Sequence, residues 1–160
     1  MKKNWFFITL AVAMMGSALV NRLQSAPSPA EEKAAAQLNW LTDFNAAQER
    51  ARAEKKLTLI NFTGSDWCPP CMRLRKEVFS QPEFADYAKE NLVLLEADFP
   101  RRKQLPAEQQ AANEALARRF GIEAFPTIVV LNPEGKELGR IGYTPGGPKA
   151  FTGKIEQLRK

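Results

Sequence analysis

Apolar and polar positions alternate between two rhythms along the chain. Leu57-Thr58-Leu59-Ile60-Asn61-Phe62 and Leu92-Val93-Leu94-Leu95-Glu96-Ala97-Asp98 are short apolar runs rich in branched residues, which predicts two buried strands. Thr127–Leu131 and Glu137–Gly142 read as a third and a fourth strand, joined by the turn residues Asn132-Pro133-Glu134-Gly135. Between these runs the period lengthens. Phe44, Ala47 and Ala51 fall at i, i+3, i+7 behind a cap at Thr42 or Asp43, and Cys71, Leu74 and Val78 repeat that spacing. Ser80-Gln81-Pro82-Glu83 has capping-box spacing and predicts a helix to about Glu90, with Pro82 tolerated in the first turn. A further helix is predicted over Ala107–Arg119 with Gly121 as its C-cap, and a last one from about Lys149 to the end. The order β, α, β, α, then a hairpin and a helix indicates an α/β sandwich around a mixed sheet, in one domain over 37–160.

Ahead of that domain the pattern changes. Met1–Trp5 is basic, and Trp5–Val20 runs 16 residues without a charge. That is the layout of a secretory signal, although its length approaches that of a spanning anchor. Small residues suited to cleavage lie at Gly16/Ala18 and Ser25/Ala26, and no cysteine follows to carry a lipoprotein anchor. Residues 1–25 are therefore expected to be a signal peptide or an N-terminal anchor, with 26–36 a tether. Either form puts the domain outside the cytoplasm, in a periplasm or an equivalent space.

Composition narrows the chemistry. Histidine is 0 and cysteine is 2, which removes histidine triads and leaves too few ligands for a tetrahedral zinc site. The net charge is +5, but Lys2, Lys3 and Arg22 lie in the leader, and without them the charge is +2. The remaining compact basic run, Arg101-Arg102-Lys103, is too small for a nucleic-acid face and reads as a solvated loop. No nucleic acid is expected as a partner, and no organic cofactor or metal is implied. Any membrane contact is expected through the N-terminal anchor alone.

What remains is Cys68-Pro69-Pro70-Cys71, expected where a strand turns into a helix. Residues three apart in a first helical turn are neighbours, so the two sulfurs can reach disulfide geometry. Unpaired N–H groups and partial positive charge at the helix start favour a thiolate on Cys68. Cys68 is expected at the exposed tip and Cys71 one turn inward, shielded until it resolves a mixed disulfide. Pro69 and Pro70 lack N–H groups and leave fewer donors around Cys68, so its pKa is expected to fall less than in strongly oxidising pairs. A static surface disulfide is the alternative. A loop of three residues would make it a weak staple.

With Trp67-Cys68-Pro69-Pro70-Cys71 in place, the chain from about Leu57 to Lys160 resembles the thioredoxin superfamily. Ala124-Phe125-Pro126-Thr127 matches the family's cis-proline segment, and Ile141-Gly142 matches its glycine loop. Lys56–Phe62, Glu77–Phe84 and Asn132–Gly135 are similar to exported single-domain thioredoxins and to the C-terminal thioredoxin domain of the transmembrane disulfide reductase DsbD. The resemblance implies a three-layer sandwich, with a central mixed sheet flanked by helices. It implies that Cys68 and Cys71 are catalytic and that Trp67, Phe125, Pro126 and Gly142 bind the substrate chain. Two departures stand out. Where the family keeps a buried carboxylate this chain has Asn61, so Cys71 deprotonation would use water, Asp66 or another group; Asn61 serving only a buried backbone group is the alternative. The loop Phe99–Pro106 is also extended, and reads as an ordinary solvated insertion, with a partner contact as the alternative. Trp40 and Phe44 are expected in the core.

The functional expectation is an exported thiol–disulfide oxidoreductase acting on protein thiols or disulfides, working as a reductase and fed by a redox partner such as a membrane reductase. Oxidation of exported proteins is the opposite direction. The rival from another class is a redox-inert binding or chaperone-like module on the same fold.

Overall fold

The computed structural model describes residues 38–160 and, ahead of them, Pro29 alone. The expected leader over 1–25 lies outside the described residues, as does the tether over 26–36 apart from Pro29, which is exposed. Five strands form one sheet: β1 (Trp40–Leu41), β2 (Leu57–Thr63), β3 (Leu92–Asp98), β4 (Thr127–Leu131) and β5 (Glu137–Ile141). Their spatial order is β1-β3-β2-β4-β5. β1 and β2 run parallel to β3, while β4 is antiparallel to both β2 and β5. The sheet is therefore mixed, as expected.

Helices cover both faces. They are α1 (Phe44–Glu54), α2 (Pro69–Leu74), α3 (Pro82–Asn91), α4 (Ala107–Phe120) and α5 (Gly147–Arg159). β2 is buried at every position, as a central strand covered on both sides must be. Its alternation sorts the core into two clusters. Leu57 and Leu59 face Leu74, Val78, Phe84 and Phe151, on the side of α2, α3 and α5. Ile60 and Phe62 face Ala47, Ala51 and Phe120, on the side of α1 and α4. The result is a three-layer sandwich. Trp40 and Phe44 are partly buried and pack on these clusters, Trp40 against Phe79 at 5.1 Å and Phe44 against Phe120 at 6.2 Å between ring centroids.

Several boundaries differ from the sequence reading. β1, two residues long and paired with Leu94 and Leu95, was not foreseen, because two positions carry no period. The helix expected to run through Val78 ends as α-helix at Leu74 and continues as a π-helical turn, Arg75–Phe79, closed by the Ser80 N–H on the Arg75 carbonyl at 2.8 Å. The wider turn lets two successive side chains, Val78 and Phe79, both enter the core. Ser80 therefore closes that turn, and the N-cap of α3 is Gln81, so the capping box does not form. α5 begins at Gly147, two residues early, because Gly146 and Gly147 take φ of 118° and 68° in the turn before Pro148. Gly121 caps α4 in the left-handed region, as predicted. Among the described residues no helix is long and apolar enough to cross a membrane.

Candidate active site

The site forms where β2 ends. Gly64 turns the chain, and its carbonyl accepts the N–H groups of Trp67 at 3.3 Å and Cys68 at 3.0 Å. No side chain fits at Gly64, since a Cβ there would lie 2.5 Å from the Trp67 indole. Cys68 is the N-cap of α2, in extended conformation, with Pro69 and Pro70 filling the first turn. Proline suits that place because the N–H it lacks would have had no helical partner. The first amide after them, Cys71 N–H, donates to Cys68 Sγ at 3.3 Å.

Cys68 and Cys71 are joined as a disulfide, with S–S 2.11 Å and Cα–Cα 5.3 Å. The expected contrast in exposure is corrected here: Cys68 is 3% exposed and Cys71 4%. Bonded to Cys71 and accepting its N–H, the Cys68 sulfur is drawn inward over the first turn instead of standing at a tip. Met72, the residue after Cys71, is 44% exposed.

Trp67 is half-buried and held on every side. Its Nε1–H donates to the Phe99 carbonyl at 2.7 Å, its ring meets Phe125 edge-on at 5.9 Å, and Arg101 lies over it at 3.7 Å. Phe125 also packs on Phe99 at 5.1 Å. The Phe125–Pro126 peptide bond is cis, as the resemblance implied. Gly142 approaches the same segment, with the Pro126 carbonyl 4.0 Å from the place of a Cβ. The structure thus brings Trp67, Phe125, Pro126 and Gly142 together, with Pro126 itself buried.

Asn61 lies in β2. The residue is 3% exposed, and alternation along β2 puts it on the face of Leu57 and Leu59, toward α2. Its Oδ1 has no hydrogen-bond partner among the described residues, so a backbone N–H is not what that oxygen serves. The register neighbour of Asn61 on β3 is Glu96, which is paired with Arg75 at 2.7 Å.

Asp66 has a task that sequence reading missed. Its carboxylate accepts the backbone N–H groups of Arg101, Arg102 and Lys103 at 2.9, 2.8 and 3.1 Å. These bonds, the Arg101 amide first, hold the Asp66 carboxyl below its ordinary pKa. Asp98 works beside it, accepting the N–H and hydroxyl of Ser65 at 2.9 and 2.7 Å and Lys103 Nζ at 2.7 Å. Burial pushes its pKa up, but Lys103 and Ser65 together outweigh burial and hold it low. The sequence marked Asp66 only as a candidate proton acceptor and gave no sign of either anchoring task, because Asp66 finds its three amides, and Asp98 its Ser65 partner, far along the chain. Among the described residues no group of three or more His, Cys, Asp or Glu is placed to hold a metal ion.

A family model described as a thioredoxin-like domain matches residues 44–159. The disulfide bond reductase DsbH of Chlamydia pneumoniae is 35% identical over 127 residues, covering 79% of this chain and 76% of DsbH. A thiol:disulfide interchange protein DsbD, from Cronobacter sakazakii, is 32% identical over 111 residues, which are 68% of this chain and 18% of DsbD. Among solved structures, a DsbH oxidoreductase superposes with a TM-score of 0.72 at 32% identity, over 84% of this chain and 91% of that one.

Proposed function

The chain belongs to the thioredoxin-like family and is a thiol–disulfide oxidoreductase; from that premise we propose that it is exported and reduces disulfides in other proteins. The observation that carries this reading is the Cys68–Cys71 disulfide at the start of α2, with Cys71 N–H on Cys68 Sγ at 3.3 Å. In the dithiol form the same amide and the helix N-terminus stabilise a Cys68 thiolate. The thiolate attacks one sulfur of a substrate disulfide, a Cys68–substrate bond forms, and the other substrate sulfur leaves as a thiolate. Cys71 then gives up its proton and attacks Cys68 Sγ. The second substrate sulfur is released, and the pair is left oxidised by two electrons. A dithiol donor must reduce it again before the next turn, and a membrane reductase is the proposed source.

In this reading the edge of Phe125 and Pro126 holds the substrate strand, with Trp67 and Gly142 bounding it. Pro69 and Pro70 set the donor count around Cys68. Asn61 does not titrate, so the Cys71 proton leaves by another route. Asp66 is committed to the backbone of 101–103, which favours water or a different group for that step. Export rests on the basic and then apolar start of the chain over 1–25, and the extracytoplasmic location and the 26–36 tether rest on it too.

Insulin reduction by the wild type and by Cys68→Ser tests the chemistry. The variant is expected to fall to the uncatalysed rate, and a wild type no faster than Cys68→Ser would leave the redox-inert binding module standing. Equilibration against thiol buffers tests the direction. A potential near −270 mV, as for thioredoxin, is expected of a reductase; one near −120 mV, as for DsbA, would reverse the direction.

A further inference from the structure

Residues 99–106 carry three consecutive cations, Arg101, Arg102 and Lys103, and no acid. A surface loop of this composition ordinarily moves freely. Here its backbone is gripped from beneath, three successive N–H groups donating to the Asp66 carboxylate. The two neighbouring carboxylates, Asp66 and Asp98, are spent inward on backbone, Ser65 and Lys103. All three cations stay exposed, Arg101 while lying over Trp67 and Lys103 while paired with Asp98. Lys103 keeps 55% of its side chain accessible even while paired with Asp98.

The position of this loop matters as much as its charge. Phe125 touches Trp67 and Phe99, and Trp67 carries Arg101 above its ring at 3.7 Å. A peptide lying along Phe125 and Pro126 and leaving across Trp67 therefore meets Arg101, with the exposed Arg102 next to it in the chain. At about 3.3 Å per extended residue, that crossing takes about three residues.

We propose that the Arg101–Lys103 loop is a docking surface for an acidic stretch of the substrate protein, with Asp or Glu within about three residues of the reacting cysteine. The proposal rests on the redox reading for its position beside Cys68. A nucleic acid is disfavoured: three cations beside one indole make neither a broad basic face nor a stacking platform. A peptide must already run past this place for exchange to occur.

The test uses the full chain and two short peptides with serine in place of the reacting cysteine, one flanked by Asp, the other by Asn. Binding is read by anisotropy of a dye on the peptide, so it needs no disulfide chemistry. The Asp peptide is expected to bind about fivefold tighter at about 0.02 M salt, the scale of two exposed ion pairs, and the preference to vanish at about 0.5 M. Arg102→Glu is expected to erase or invert it. The Arg102 N–H stays on Asp66 in that variant, and the rate on hydroxyethyl disulfide, a neutral substrate, is expected to stay unchanged. Equal binding of the two peptides, or a preference that survives high salt, would overturn the docking surface. Cysteine versions of the same peptides separate the two claims. Asp-selective binding without any turnover would uphold the surface and sink the redox reading.

Discussion

The turn between β4 and β5 closes on itself, whereas the segment between β3 and α4 is closed by an aspartate 35 to 37 positions away. In the hairpin, Gly135 N–H returns to the Asn132 carbonyl at 2.9 Å, and Asn132 Oδ1 accepts the Lys136 N–H at 2.8 Å. Gly135 supplies the positive φ, 87°, that the turn requires. Every partner is within four residues. In the 99–106 segment the N–H groups of 101, 102 and 103 find no local acceptor, and the one they use, Asp66, arrives on the turn that carries the redox pair. The hairpin is thus a property of its own residues. The longer loop is a property of the active site, and its order depends on that of the turn Gly64–Trp67.

That contrast can be broken first at Gly64. Gly64→Ala puts a Cβ 2.5 Å from the indole of Trp67, so the ring must leave Phe99 and Arg101. Denaturant unfolding is expected to show a loss of about 1–3 kcal/mol, the scale of overpacking, together with a change in tryptophan emission. An unchanged midpoint and spectrum would mean that the turn and the loop are not coupled.

Asp66→Ala sharpens the comparison with a smaller effect. Amide exchange at Arg101, Arg102 and Lys103 is expected to accelerate at least about tenfold, with Lys136 and Gly135 in the hairpin unaffected. Acid probes the same anchor without mutation. Both Asp66 and Asp98 are held below the ordinary 3.8, so their contribution is complete above that value and is lost as the pH falls through the lowered values. Protection of 101–103 should therefore persist below pH 3.8 and then fail, while the hairpin amides keep theirs.

The smallest effect is expected at Gly135. Gly135→Ala forces a side chain to a φ of 87° and presses on the flexible end of Gln48, costing roughly 1 kcal/mol. Insulin reduction should not change. A fall in activity with Gly135→Ala would show that the two connections are not independent.

The same division explains what could be read from the chain alone. The central strands, α1 with its Asp43 cap, the Gly121 cap and the Asn132–Gly135 turn were legible, because the residues that cause each of them lie inside it. The Cys68–Cys71 disulfide was legible from spacing, and the cis bond at Pro126 through the family resemblance. β1 was not, since its two residues are a strand only by pairing with Leu94 and Leu95. Nor was the π-helical turn, which reflects the need to bury Phe79 as well as Val78. Asp66 looked like a candidate proton acceptor for Cys71; its occupation by three amides from across the fold leaves no trace in local sequence. The burial of Cys68 comes from how the chain packs around the pair, which spacing alone does not specify.

Because Asp66 grips main-chain N–H groups, what it holds is indifferent to the identity of the residues that carry them. Any amino acid but proline can stand at 101, 102 or 103 and still be held through its amide. The path of the loop is thereby held whatever side chain stands at 102, while Arg101 over Trp67 and Lys103 on Asp98 add side-chain contacts of their own. For the same reason these positions suit a randomised library: a set of variants could be screened for new partners with Cys68, Cys71 and the core left untouched.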